Sequence, residues 1–162
     1  MSGTPTDLPS RLVAAATYVL EGEYACHECG SIVPVFGLMP VGPFDRQGDM
    51  HLDEEDDSAL LRRPLDLPPD IKAALVSRSG GSFHPDDSKT LGERYWMNHC
   101  RECGTKIGDW FVHKPGEAFF PTSGEEMKKL SGAKLAGPHT FDDPDLALSS
   151  WTSSWLAMVS TK

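Results

Sequence analysis

Cys26-His27-Glu28-Cys29-Gly30 and Cys100-Arg101-Glu102-Cys103-Gly104 contain all four cysteines of the chain. Each is Cys-x-x-Cys-Gly, with a glutamate before the second sulfur. Two residues between the cysteines let both sulfurs of a tight turn face one ion, and four thiolates suit Zn²⁺ in a closed tetrahedral site. The glycine after each pair supplies the positive φ that a metal-wrapping turn often needs at its end. Backbone N–H groups of such a turn can also point at the sulfurs and spread their charge. One Cys-x-x-Cys is a weak signal, but a matched repeat with the trailing glycine predicts one shared tetrahedral metal site.

Other cysteine chemistry fits less well. Two disulfides call for an oxidising compartment and usually a short, cysteine-dense chain. A thioredoxin-like redox pair has no use for a second matched pair. Haem attachment requires Cys-x-x-Cys-His, and here glycine follows both times. Iron stays open beside zinc, because rubredoxin also uses two Cys-x-x-Cys-Gly turns.

The sequence around each pair reads as hairpin. Arg11 to Tyr24 turns apolar and ends in Thr17-Tyr18-Val19-Leu20, a strand entering the first turn, and Ser31 to Met39 leaves it. Pro34 puts that outgoing strand at an edge or a bulge. Tyr24 and Ile32 are expected to shield the metal turn from water. Tyr95-Trp96-Met97-Asn98-His99 leads into the second turn. Gly104 to His113, with Ile107, Trp110, Phe111 and Val112, leads out as the second hairpin, and Phe119-Phe120 follows as a strand or packing segment.

These two turns resemble those of the zinc-ribbon, or rubredoxin-like, fold group, in which each turn sits at the tip of a β-hairpin and the hairpins clamp one structural ion. The resemblance implies Cys26, Cys29, Cys100 and Cys103 as the ligands of one Zn²⁺ ion. It covers the turns and their flanking strands, not the middle or the C-terminal third. Residues 30–99 separate the pairs, far more than a minimal ribbon needs. The expected fold is therefore α+β: a zinc-ribbon core of two β-hairpins with short peripheral helices.

The rest of the chain adds elements and bounds. Residues 1–10 read as a flexible tail, and 11–162 as a single domain with an acidic loop insertion at about 40–64. Leu65 to Ser79 is predicted helical: Pro68-Pro69 suits the first turn, Asp70 the positive end of the dipole, and Gly80-Gly81 the end. Residues 82–92 read as a polar loop carrying His84, Asp86 and Asp87. Ser123 and Glu126 form a capping box for a short helix that Gly132 ends. Residues 137–144 read as a turn-rich connector. Leu148, Trp151, Trp155, Met158 and Val159 follow helical spacing, with a strand as the alternative over 146–160, and either pack on the body or face a partner.

The formal net charge of −9 on 162 residues argues against nucleic-acid binding, which needs clustered Lys and Arg. The apolar run Leu12 to Leu20 is too short to cross a bilayer and lacks the flanks of a signal peptide. Thiols used as ligands point to the cytoplasm. A nucleobase deaminase would make Glu28 the proton shuttle beside Cys26 and the Cys100/Cys103 pair, but Cys29 stands where it would close the site and no proline precedes Cys100. No nucleophile-and-base pairing, Gly-rich phosphate loop or His-Glu-x-x-His motif is present. No catalytic residue and no organic cofactor site are expected. The expected function is a structural-zinc, protein-interaction module (adaptor, regulator or inhibitor) whose partner is a protein, possibly basic. A nucleic-acid-associated ribbon and a zinc-dependent hydrolase or deaminase are the alternatives.

Overall fold

The computed structural model describes residues 10–48, 52, 56–148 and 150–160. In chain order the elements are β1 (Arg11–Ala25), β2 (Ile32–Gln47), β3 (Leu60–Arg62), α1 (Pro69–Ser79), β4 (Phe83–Ser88), β5 (Glu93–His99), β6 (Lys106–Ile107), α2 (Asp109–Val112), α3 (Gly124–Met127), β7 (Ser131–Asp142), β8 (Asp145–Ala147) and α4 (Ser150–Ser160). The architecture is mixed, mostly antiparallel sheet with a few short helices. One sheet is five-stranded in the order β7-β1-β2-β3-β8, and the other is three-stranded in the order β4-β5-β6. No described helix is long and apolar enough to cross a membrane.

β1 explains the apolar run Leu12 to Leu20. It pairs along its length with β2 on one side and with β7 on the other. Both of its faces are also covered, so nearly every side chain must be apolar. One face joins Leu20 and Tyr24 to Val35 and Met39 of β2, to Phe119, and to Trp151 and Trp155 of α4. The opposite face joins Leu12 and Val19 to Phe36 and Leu38, and to Ile71 and Leu75 of α1.

Strict alternation along β1 breaks once. The register shifts between Ala14 and Ala16 against both neighbours: the single residue Ala15 stands opposite two residues in each, and the side chains of β1 that follow turn to the other face. Gly42-Pro43 of β2 and Gly137-Pro138 of β7 stand opposite this shift. At Gly137 the backbones come so close that a Cβ would lie 2.6 Å from the Ala15 carbonyl oxygen and 2.8 Å from that of Ala14. Only glycine fits there.

Several elements depart from the sequence-based expectation. Residues 40–47 continue β2 rather than opening an acidic loop, because β2 follows β1 as far as the Arg11–Gln47 pair. Of the remaining acidic stretch, 49–51 and 53–55 lie outside the described residues, as does the expected tail except Ser10. The polar segment 83–88 is a strand, not a loop: β4 pairs with β5 from Phe83 opposite Asn98 to Ser88 opposite Glu93. As an edge strand it tolerates Pro85. Residues 137–142 belong to β7, not to a connector, and Gly132 lies within the same strand rather than ending a helix. The strand leaving the second cysteine turn is only Lys106–Ile107, after which the chain turns into α2.

Two helices match their signals. α1 ends at Gly80 with φ 64° as expected but begins at Pro69 rather than Leu65, because Pro68 is extended and caps the helix, and 150–160 is helical. The tryptophans of α4 form no partner surface: Trp151 and Trp155 are buried, and Trp155 meets Tyr18 edge-on at 5.3 Å. The capping box is displaced by one residue. Ser123 Oγ accepts the Glu126 N–H at 3.2 Å, but the Glu126 carboxylate accepts from the Thr122 N–H and hydroxyl.

Gly137→Ala is expected to destabilise the protein by about 1–3 kcal/mol in urea melts, the usual cost of forcing extra volume into packed structure. Gly124→Ala is the control. Nothing lies within 4 Å of its added Cβ, so its effect should stay within about 0.5 kcal/mol.

Candidate metal centre

The two cysteine turns have the same backbone geometry. In the first, between β1 and β2, Cys26 N–H donates to Ser31 O at 2.9 Å and Gly30 N–H to Cys26 O at 2.8 Å. In the second, between β5 and β6, Cys100 N–H donates to Thr105 O at 2.9 Å and Gly104 N–H to Cys100 O at 2.8 Å. Gly30 has φ 76° and Gly104 φ 79°. An added Cβ would meet nothing within 4 Å at either glycine, so the requirement is for the left-handed backbone, not for space.

The turns face each other. Cys26 Sγ lies 3.7 Å from Cys103 Sγ, and Cys29 Sγ lies 3.6 Å from Cys100 Sγ. All four sulfurs fall within 4.8 Å of one another. A disulfide needs about 2.05 Å, whereas a tetrahedron of sulfurs around an ion at about 2.3 Å has edges of about 3.8 Å. The quartet therefore has the spacing and the donor chemistry of a metal-ion site, compatible with a zinc-ribbon-like centre. Each turn contributes one buried sulfur, Cys26 or Cys100, and one exposed sulfur, Cys29 or Cys103.

Neighbouring groups favour the thiolate form on the outer pair. Hydrogen bonds from the Ser31 hydroxyl and N–H pull the Cys29 thiol down to about 6. The Thr105 hydroxyl, 3.1 Å from Cys103 Sγ, lowers Cys103 in the same way. At Cys100 the Cys103 N–H pulls downward, but burial and the adjoining thiols prevail and raise it to about 11. Ser31 and Thr105 occupy matching positions, so the repeat is Cys-x-x-Cys-Gly followed by a hydroxyl residue. That sixth position was readable in the sequence and is the signal the cysteine motif alone omits. Glu28 and Glu102, equivalent in the repeat, are both exposed.

The turns are fixed by contacts from outside them. Asn98 acts as a strand partner for the free edge of β2: Phe36 N–H donates to its Oδ1 at 2.7 Å, and its Nδ2 donates to Phe36 O at 2.9 Å. This joins the small sheet to the large one just before Cys100. Nothing local marks Asn98 for that role. On the other side His27 stacks on Phe111 of α2 at 4.2 Å, and its Nδ1 lies 3.0 Å from the Tyr24 hydroxyl. Tyr24 is buried as expected, but Ile32 is 64% exposed and shields nothing. None of the neighbouring histidines substitutes for a cysteine in the sulfur cluster.

A second group, His84, Asp86 and His99, also brings ligand atoms within 4.8 Å. His99 Nε2 lies 2.8 Å from Asp86 Oδ2, and its Nδ1 lies 3.2 Å from Ser82 O. The His84 ring stacks on His99 at 3.7 Å and 7°. An ion lies near the plane of each imidazole that binds it, and two parallel rings this far apart share no such point. Lys106 Nζ, 3.5 Å from Asp86 Oδ1, already supplies a cation. As arranged, the group is an ion-paired fastening between β4 and β5.

A third group orders a hydroxyl, an imidazole and a carboxylate. Thr17 Oγ1 lies 2.9 Å from His139 Nδ1, and His139 Nε2 lies 2.8 Å from Asp70 Oδ2. Its resemblance to a nucleophile relay ends at Thr17, which is fully buried inside the sheet where no substrate can reach. The chain instead ties β1, β7 and α1 together across the core.

Comparison of the chain with protein-family models, with curated proteins and with solved structures returned no match.

The hydrogen bond from His139 holds the Asp70 carboxyl below its ordinary value. A depressed carboxyl contributes stability above the unfolded-state pKa of about 3.9, and the contribution is lost as pH falls below it. Asp70 is half exposed and screened by solvent, so Asp70→Asn is expected to cost only about 1 kcal/mol at pH 7. Thermal melts of the two proteins should converge as pH drops below about 3.9. An offset unchanged from pH 7 into that range would mean that Asp70 does not act through its charge.

Proposed function

We propose that Cys26, Cys29, Cys100 and Cys103 hold one Zn²⁺ ion as a closed structural centre of the zinc-ribbon type, in a single domain spanning 11–162. The observation that carries this reading is the all-sulfur quartet, its members within 4.8 Å. Four thiolates fill every position of a tetrahedral ion, so no position remains for a substrate or an activated water, and the metal acts on folding rather than on chemistry. Binding replaces the protons of the four thiols and fastens two hairpins that are remote in sequence.

The protein then serves as a binding module, an adaptor, regulator or inhibitor, with a basic protein as partner. The net charge of −9 supports this, since an acidic surface speeds encounter with a basic one and repels nucleic acid. Trp151 and Trp155 take no part, because they belong to the core. Such an association should weaken as salt is added.

Metal analysis of the purified protein is expected to give one zinc per chain. Cobalt substitution should produce the visible spectrum of a tetrahedral four-thiolate site. Structural zinc is worth about 10–16 kcal/mol in finger peptides, comparable to a domain's whole stability. Chelation, or Cys100→Ser, should therefore lower Tm by more than about 10 °C. A melting temperature indifferent to chelation, or a cobalt spectrum with an open coordination position, would sink the structural reading. Iron in place of zinc would keep the fold argument and change the ion.

A further inference from the structure

A cavity of about 680 Å³ opens between the end of β3, the β4–β5 turn and α2. That volume lies within the range of small-molecule sites, roughly 300–1,000 Å³. Part of its wall is aromatic. Trp110 is 69% exposed and meets Phe111 edge-on at 5.1 Å. Lys114 Nζ lies 4.4 Å over the Trp110 ring and pairs with no carboxylate among the described residues.

The other charges nearly cancel. Asp145 binds both Arg62 and Arg63, and Glu93 lies 3.9 Å from Arg63. Asp109 is the acid on the cavity wall. It is buried, its carboxylate already accepts the Arg63 N–H, and burial pushes its pKa up. One cation, Lys114, is left without a counter-ion.

Two hydrogen-bond donors are also left without acceptors. The Tyr95 hydroxyl accepts the Asp109 N–H at 3.2 Å, but its own proton goes to no described residue, although the side chain is only 3% exposed. Arg62 Nε–H has no acceptor either, but it is shut off from solvent and so lies behind the wall, out of a ligand's reach. Buried donors are normally paired, and those that are not mark a place where an acceptor belongs.

We infer that this cavity binds a small aromatic carboxylate, its ring on the face of Trp110 and its carboxylate at the Lys114 ammonium and the Tyr95 hydroxyl. A single unpaired cation matches a monoanion, whereas a dianion such as a phosphate monoester would keep one charge without a counter-ion. The ring replaces Lys114 over Trp110, and the freed ammonium turns to the carboxylate. The inference does not depend on which metal the cysteines hold.

The test uses the full-length metal-loaded protein with 1-naphthoate and its neutral analogue 1-naphthamide, read by calorimetry and by ¹⁵N NMR. Naphthoate is expected to bind saturably and the amide about tenfold more weakly or worse, with shifts centred on the Trp110 indole N–H. Lys114→Gln keeps the aliphatic stem and removes the charge. It should weaken naphthoate about fivefold or more and erase the preference over the amide, with Tm unchanged. Tyr95→Phe should weaken naphthoate as well, and if that buried change unfolds the protein, the surface change at Lys114 decides. Equal affinity for acid and amide, no saturation up to about 1 mM, or shifts that avoid Trp110 overturns the proposal.

Discussion

Four sulfur atoms within 4.8 Å of one another, drawn from turns that residues 30–99 separate, are the constraint on which the remaining structure rests. Mutual contact among thiols does not hold such a cluster together. The protein converges on it from outside, through Asn98 hydrogen-bonded to the edge of β2 and His27 stacked on Phe111. Cys26 and Cys100 also sit in the same core cluster as Val33 and Ile107, the residues that flank the two turns. The long intervening segment is tolerable because loop-closure entropy grows slowly, by about 0.6 kcal/mol per doubling of loop length. Two hairpins that share a cysteine cluster can therefore carry a large insertion between them, provided that the insertion packs on its own account.

It does so by sharing the long hairpin of β1 and β2. One face of that sheet packs against the cysteine side, α2 and α4, and the other against α1 and β4. A strand clad on both faces has no room for the usual alternation of apolar and polar residues. The register shift at Ala15 lets the two halves of β1 present different side chains to the same core, with Gly137 passing where a Cβ cannot. The Thr17–His139–Asp70 chain then anchors α1 to the sheet through groups that fulfil one another's hydrogen bonds. Metal centre and sheet core are thus two views of one framework.

The features available to partners lie around this framework rather than in it. The four cysteine sulfurs converge on one another, and Trp151 and Trp155 serve the core. What stays exposed and chemically capable is Trp110 with the unpaired Lys114, next to hydrogen-bond donors that have no acceptor. α2, which carries Trp110, is held by the His27–Phe111 stack against the first turn and by the Tyr95–Asp109 bond to β5. The first cysteine turn and β5 therefore position one wall of the cavity, and none of the four cysteines lines it.

The sequence by itself determined what depends on neighbours along the chain. The paired Cys-x-x-Cys-Gly turns, the left-handed glycines, the Gly80 end of α1 and the helical spacing of α4 are all set by local dihedral preference and ligand spacing. Tertiary structure decided what depends on remote partners. Phe83-His84-Pro85-Asp86-Asp87-Ser88 has no strand character until β5 offers it an edge, and the Gly-Pro of β7 reads as a turn until the register shift opposite Ala15 gives it a place. Trp155 looks like a binding residue until Leu130 accepts its indole N–H and Tyr18 meets its ring. Asn98 has no distinguishing neighbours, and its role exists only because Phe36 leaves its N–H and C=O unpaired across the sheet. Local chemistry is written in residue order, whereas strand pairing and burial are relations between segments that only the folded chain brings together.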